Sequence, residues 1–424
     1  MRKAFLILLA GLATSLFLFP FFPAMGSAIN TKMVLAVLGA GAFAMDKSSK
    51  RDASVASDIL ILILLSALIS VWALFVVTRF NTDDYSYAKY VVSFAVWMSA
   101  AYFVIWFIRQ VHGKISVDLI CDYVIGVCVF QCILAYLMSL FPPLKSFIDA
   151  ILGDSVGAMG IIEGRLYGLG AALDPAGLRF SAALVLNVFM MTRTDFGETP
   201  WKGALFIIAF VVIAVLGNMI ARTTTVGLII SILYLVLFLL FNRNDSGNRS
   251  FLHVSVPLIL FFVLISIWLY NVSPAFRDNM RFGFEGFFSL VEKGRWEVRS
   301  NEVLKKMIVW PETLTTWVIG DGYFNSPLDT PDRFGQTYTG YYMKTDIGYL
   351  RFIFYFGTIG MLGMVAFFFA ITYICAKSNK DIKWLFITLL LINLVGWLKV
   401  SSDIIMVFAP FLVFSMTKEE RFPG

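Results

Sequence analysis

Six arginines carry the strongest chemical signal in this sequence: Arg165, Arg179, Arg222, Arg295, Arg299 and Arg351. A guanidinium offers a planar fork of donors that grips a phosphate bidentately, so arginine is the residue for recognising a pyrophosphate. Arg222 stands in a polar knot with Asn218, Thr223, Thr224 and Thr225, between two apolar stretches, and the knot reads as the wall of a site. Arg165 lies in the glycine-rich run Glu163-Gly-Arg-Leu-Tyr-Gly-Leu-Gly-Ala-Ala-Leu-Asp174-Pro175, where glycines let backbone come close to a ligand. Pro175 suits the first turn of a helix, which places Arg179 near that helix's start. Arg295 and Arg299 fall in Gly294-Arg-Trp-Glu-Val-Arg-Ser-Asn301. That stretch is expected to be helical, so the two should share a face. The plainer reading is that Glu292 and Glu302 pair with them on a solvated surface, where Lys305 and Lys306 also belong.

The elements that must position these residues are set by solvent. Of 424 residues, 59% are hydrophobic and only 15% charged, with a mean hydropathy of +0.80. A soluble domain carries about a quarter of its residues as charges, so lipid must cover this chain. Ala4–Thr31, Ile59–Thr78, Gly203–Ala221, Thr223–Asn242 and Phe352–Ala376 contain no charge at all. Each run is close to the ~20 residues that cross a bilayer core as helix. No two-residue alternation suggests a β-barrel. The expected fold is therefore an all-α polytopic membrane protein, one integral membrane domain over 1–424. About twelve transmembrane helices are expected, near 4–22, 28–45, 58–78, 89–108, 119–141, 175–191, 203–220, 223–241, 252–271, 346–375, 384–398 and 402–416. The last two are short and could form one re-entrant element. Residues 24–28 could be read as a leader cleavage site, which would leave the rest of the topology unchanged.

Lys and Arg set the orientation. With the N-terminus in the cytoplasm, seven segments fall on the inner side, and each holds at least two basic residues, from Arg2 and Lys3 to Lys418 and Arg421. Two long loops then face outward, 142–174 and 272–345, the second expected to be partly helical. Arg179, Arg222, Arg351, Lys399 and Asp403 lie at or inside the outer ends of spans, where a charge must pair, hydrate or snorkel. For Lys399 snorkelling is the simpler account, with Asp403 one helical turn away as partner.

Both histidines, His112 and His253, fall on the inner side. An outer general base must then be a carboxylate, or no protein base exists. Asp346 opens a span directly after the large loop and is the candidate for catalysis. The competing reading is that Thr345 or Asp346 only caps the helix. The four cysteines, Cys121, Cys128, Cys132 and Cys375, sit in apolar runs without metal-site spacing, so they read as small core side chains. No metal site, no cofactor and no nucleic-acid partner is expected.

The sequence also resembles a family. The run Gly294-Arg295…Pro311…Gly320-Asp-Gly322 is similar to a segment of the O-antigen polymerase and ligase superfamily, and Thr345-Asp346-Ile-Gly-Tyr-Leu…Phe356-Gly357…Gly360 to the helix start that follows it. Arg165-x-x-Gly168…Asp174-Pro175 resembles the family's earlier periplasmic loop, and Ala221-Arg222-Thr its short turn. The resemblance covers roughly 160–360. It implies a GT-C-like glycosyltransferase of the bacterial inner membrane, acting at the periplasmic face on undecaprenyl-diphosphate-linked glycans, with a chain-length regulator as a further partner. Ligases of the WaaL type carry a His where this chain has Asp346, which favours a Wzy-type repeat-unit polymerase making O-antigen, capsule or exopolysaccharide. Two alternatives remain: the ligase, with lipid A-core as acceptor, and a flippase or other transporter. Transporters tend to show paired halves and midplane polar residues, and neither is seen here.

Overall fold

The computed structural model describes residues 2–24, 29–48, 57–153, 165–241, 246–327 and 340–419. Glu163, Gly164, the leader-like 25–28 and the basic Arg421 lie outside the described residues. Among the described residues the chain is all-helical, 79% helix, with no strand. In chain order the helices are α1 (Arg2–Leu18), α2 (Thr31–Ser48), α3 (Ser57–Phe80), α4 (Tyr90–His112), α5 (Val117–Leu140), α6 (Pro142–Leu152), α7 (Leu173–Arg193), α8 (Pro200–Ile220), α9 (Thr224–Phe241) and α10 (Ser246–Val272). Four short helices follow, α11 (Pro274–Gly283), α12 (Glu285–Lys293), α13 (Arg299–Lys306) and α14 (Leu314–Val318). The chain closes with α15 (Gly348–Ser378), α16 (Lys383–Gly396) and α17 (Ile405–Glu419).

Eight of these helices are long and apolar enough to cross a membrane: α3, α4, α5, α7, α8, α9, α10 and α15. Each coincides with an expected span, and the protein is a multi-pass membrane protein. The remaining expected spans are also helices, but shorter or less apolar: α1, α2, α16 and α17. Between α16 and α17, residues 397–399 form a turn and 400–404 are irregular. Lys399 and Asp403 therefore do not stack along one helical turn as expected.

The chain divides into two compact units. The first holds Met1–Ala44, Ser99–Trp296 and Ile404–Phe414. Its centre is α7, packed by α5, α8 and α9. Protein buries 83% of the apolar window of α7 but only 6% of that of α10, so α10 is left for lipid to cover. Small residues permit a close crossing of α7 on α9. A Cβ on Gly227 would come within 2.1 Å of the Ser181 Cα, so only glycine fits there. The same crossing is hydrogen-bonded: Gly227 N–H donates to Ser181 Oγ (3.1 Å), and Ser181 Oγ donates to the Thr223 carbonyl (3.0 Å). All four cysteines are buried thiols, as their apolar context implied.

The second unit holds Met45–Met98, Glu297–Asp403 and Ser415–Gly424. Its axis is α15, against which α3, α14 and α16 pack. The helix breaks at Phe356 and Gly357, where Gly357 has φ 70°. A break frees backbone carbonyls, which apolar surroundings do not forgive. Here Asp321 N–H donates to Phe354 O (2.6 Å), Gly322 N–H to Tyr355 O (3.1 Å), and Trp72 Nε1–H to Phe356 O (2.8 Å). The Gly320–Gly322 turn is thus the missing partner of the helix break. Close approach demands glycine on both sides. A Cβ on Gly320 would meet Phe356 N at 2.7 Å, and one on Gly357 would meet Val318 O at 2.0 Å.

Candidate anion site and carboxylate clusters

In the first unit, the turn 221–223 between α8 and α9 presents Arg222. Its shape is fixed by hydrogen bonds that the polar knot supplies. Thr225 Oγ1 donates to Asn218 Oδ1 (2.6 Å), Asn218 Nδ2 to Ala214 O (2.7 Å), and Thr224 Oγ1 to Gly217 O (3.1 Å). Thr223 Oγ1 donates to the Asp174 carboxylate at the start of α7. Gly177 packs against Ala221 so closely that a Cβ there would lie 2.9 Å from the alanine's own.

Arg222 does not act alone. Its guanidinium lies 4.5 Å from the Phe282 ring centroid, and that of Arg165 lies 5.0 Å from the same centroid. The arginine pair of the two loops is therefore assembled around one phenylalanine at the end of α11. Arg222 also pairs with Glu285, the first residue of α12. The Arg222 side chain is 14% exposed and that of Glu285 is 35% exposed. Burial pulls the Arg222 guanidinium below its ordinary value; Glu285 opposes that and Arg165 adds to it. A guanidinium stays charged in a protein regardless, so the cluster holds two cations and the carboxylates of Glu285 and Asp174. Phe282 and Glu285, about sixty residues from Arg222, carry no signal of their own in the sequence.

The other arginines have different settings. Arg179 on α7 lies 5.6 Å from the Phe19 ring centroid and donates from Nη2 to Met406 Sδ (3.6 Å). Arg295 is exposed and not helical, because Gly294 ends α12 in the left-handed conformation, φ 67°. The helix resumes only at Arg299, in the second unit, so Arg295 and Arg299 do not share a helical face. Nor do Glu292 and Glu302 take these partners as their main ion pairs. Glu292 grips Arg281 (2.7 Å) and Glu302 pairs with Lys305 (2.9 Å).

In the second unit, the Arg351 side chain is 6% exposed. Its guanidinium carbon lies 3.5 Å from the Phe324 ring centroid and 4.1 Å from that of Tyr341. Its donors reach Ser401 Oγ (3.0 Å), Phe324 O (3.0 Å) and Asn325 Oδ1 (3.2 Å). Such an arginine fastens loop 322–327 and the Asn325–Tyr341 bridge to the start of α15. Asp346 Oδ1 is 3.9 Å from Arg351 Nη1. Neither Thr345 nor Asp346 is the N-cap residue of α15. The N-cap is Ile347, with no side-chain capping bond, and the turn before it uses Thr345 Oγ1 instead.

Two further carboxylates organise this unit. Asp84 accepts from the N–H groups of Phe324 (2.8 Å) and Asn325 (2.9 Å), while its carbonyl accepts from the Tyr355 hydroxyl (2.7 Å). Asp321 accepts from Thr316 Oγ1 (2.7 Å) and the Tyr342 hydroxyl (3.3 Å), beside the stacked rings of Tyr323 and Tyr342. Burial pushes Asp321 above the usual carboxylate range, and its two hydroxyl donors only partly offset this. Burial likewise pushes up the Tyr87 hydroxyl, with Asp403 adding to the effect. Among the described residues no cluster of His, Cys, Asp and Glu could hold a metal ion. Comparison with protein-family models, with curated proteins and with solved structures finds no match to this chain.

Proposed function

We propose that this protein polymerises lipid-linked oligosaccharide repeat units, making O-antigen, capsule or exopolysaccharide by glycosyl transfer. The observation that carries the reading is the pairing of Arg165 and Arg222 on Phe282. Two guanidinium groups from separate loops, gathered over one ring and partly buried, suit a diphosphate. The donor would be a growing glycan on undecaprenyl diphosphate. A hydroxyl of the incoming unit attacks the anomeric carbon, the bond from that carbon to the diphosphate oxygen breaks, and the lipid diphosphate leaves with the electron pair. The arginines stabilise the charge that develops on it. The acceptor's proton goes to a carboxylate base or to water; Asp346 is the carboxylate that the sequence nominates for that role. Within this proposal the chain crosses the bacterial inner membrane about twelve times, as a GT-C-like enzyme with its site on the periplasmic face. α1, α2, α16 and α17 would supply the crossings beyond the eight long helices. Arg179, Arg295, Arg299 and Arg351 then serve the glycan, the lipid surface or the fold rather than the reacting diphosphate. Purified protein given lipid-diphosphate-linked repeat units should release lipid diphosphate and build a glycan ladder. Wild-type ladders from the Arg165→Ala, Arg222→Ala double variant would sink the reading.

A further inference from the structure

Glu285 occupies part of the very fork that a phosphate would need. It pairs with Arg222, while Arg165 approaches the same Phe282 ring from another loop. Asp174, bound by Thr223, supplies a second carboxylate nearby. The unliganded cluster is therefore close to neutral, and a ligand gains nothing from net charge alone. It gains only by replacing Glu285 with something better.

We propose that Glu285 sets the anion selectivity of the arginine pair, admitting a diphosphate and turning away a monophosphate. The inference rests on the reading of Arg165 and Arg222 as a phosphate site. A monophosphate at Arg222 exchanges one anion for another and recovers little. A diphosphate has two phosphoryl groups, so it evicts Glu285 from Arg222 and engages Arg165 in the same event. Competition by a resident carboxylate is thus a device that rejects the smaller ligand, in the way specificity commonly needs a repulsive element. It would keep monophosphorylated carrier lipid from filling a site meant for the diphosphate.

The surroundings suit such an exchange. Glu285 is the first residue of α12, where the helix N-terminus favours a carboxylate whether or not it touches Arg222. Its side chain is already one-third exposed, so it can turn to water. The backbone beneath it is held: a Cβ on Gly283 would lie 3.0 Å from Asn218 O, so the α11–α12 corner sits directly on the end of α8. The side chain moves while the corner and Phe282 stay.

The test is calorimetric titration of the purified full-length protein with inorganic pyrophosphate and with inorganic phosphate. Wild-type protein should prefer pyrophosphate. In Glu285→Gln, affinity for phosphate should rise about tenfold, and for pyrophosphate less, so the preference narrows. Glu285→Asp, which keeps the charge on a shorter arm, should fall between the two and serves if the amide variant does not fold. Arg165→Ala should also narrow the preference, but by losing pyrophosphate affinity. An unchanged ratio in both Glu285 variants overturns the inference while leaving the arginine site standing. Loss of both anions in Glu285→Gln overturns it too, because Glu285 would then only shape Arg222. If the Arg165→Ala, Arg222→Ala double variant binds pyrophosphate like wild type, the phosphate reading itself has failed, and the selectivity claim with it.

Discussion

Arg222→Ala removes one of the two guanidinium groups over Phe282 and breaks the pair with Glu285. The two consequences differ in size. Glu285 is 35% exposed and can hydrate, so losing the pair costs about 1 kcal/mol of stability at most. The cation–π contact adds roughly 0.5–1 kcal/mol. A charge-assisted fork on a leaving diphosphate is worth about 1.5–3 kcal/mol, which is a tenfold to hundredfold effect on kcat/KM. Activity should therefore collapse in protein that still folds. Arg222→Lys keeps the charge but loses the planar fork, so it should recover only part of the rate. Initial rates of ladder formation in lipid nanodiscs, read beside thermal unfolding of the same samples, measure both quantities. An unchanged kcat/KM in Arg222→Ala refutes the argument. So does a loss of rate that tracks a large fall in Tm, since Arg222 would then be structural.

Arg351→Ala should show the opposite pattern. It strips a buried guanidinium from between two rings and from three acceptors, and should cost about 3–5 kcal/mol of stability; normal Tm with lost activity would contradict that assignment. Asp346→Asn should lower turnover by about 100-fold or more at unchanged Tm, as removal of a general base does; wild-type turnover would leave Asp346 as a partner of Arg351 only. Asp321 titrates above its unfolded value, so it favours the fold fully below the unfolded value, and that contribution fades as pH rises through the raised one. Asp321→Asn should flatten the fall of Tm with rising pH, measured as the difference from wild type; identical slopes would show that burial does not perturb Asp321.

The spans were legible because hydrophobic length is a local property. A run such as Ile59–Thr78 needs no distant partner to be read, and α3 covers it. The Arg222 knot was legible for a related reason, since polar residues between two apolar runs stand out. What could not be read was its completion. Phe282 is one of 42 phenylalanines, and Glu285 looks like any solvated glutamate at the start of a short helix. Their meaning comes only from the α11–α12 corner meeting the end of α8. The Arg295–Arg299 face failed on a signal that was present. Gly294 follows Lys293 as a glycine follows a helix end, and it ends α12 rather than sitting inside a longer helix.

Arg351 teaches a sharper lesson about residue type. By charge and position it looked like another phosphate ligand, yet its donors are directed to Ser401, Phe324 and Asn325. The cause lies in the broken helix. Gly357 interrupts α15, and the Gly320–Gly322 turn docks on the carbonyls thereby exposed. That docking carries the following residues, Phe324 and Asn325, to the N-terminal end of α15, where Arg351 fastens them beside Tyr341. The two glycine motifs and the arginine are thus one device, a loop locked onto a helix break, rather than three separate hints of a ligand. Arg222 differs in the point that matters for binding. Its carboxylate partner is a third exposed, and in the proposed reading that partner is what an arriving anion displaces.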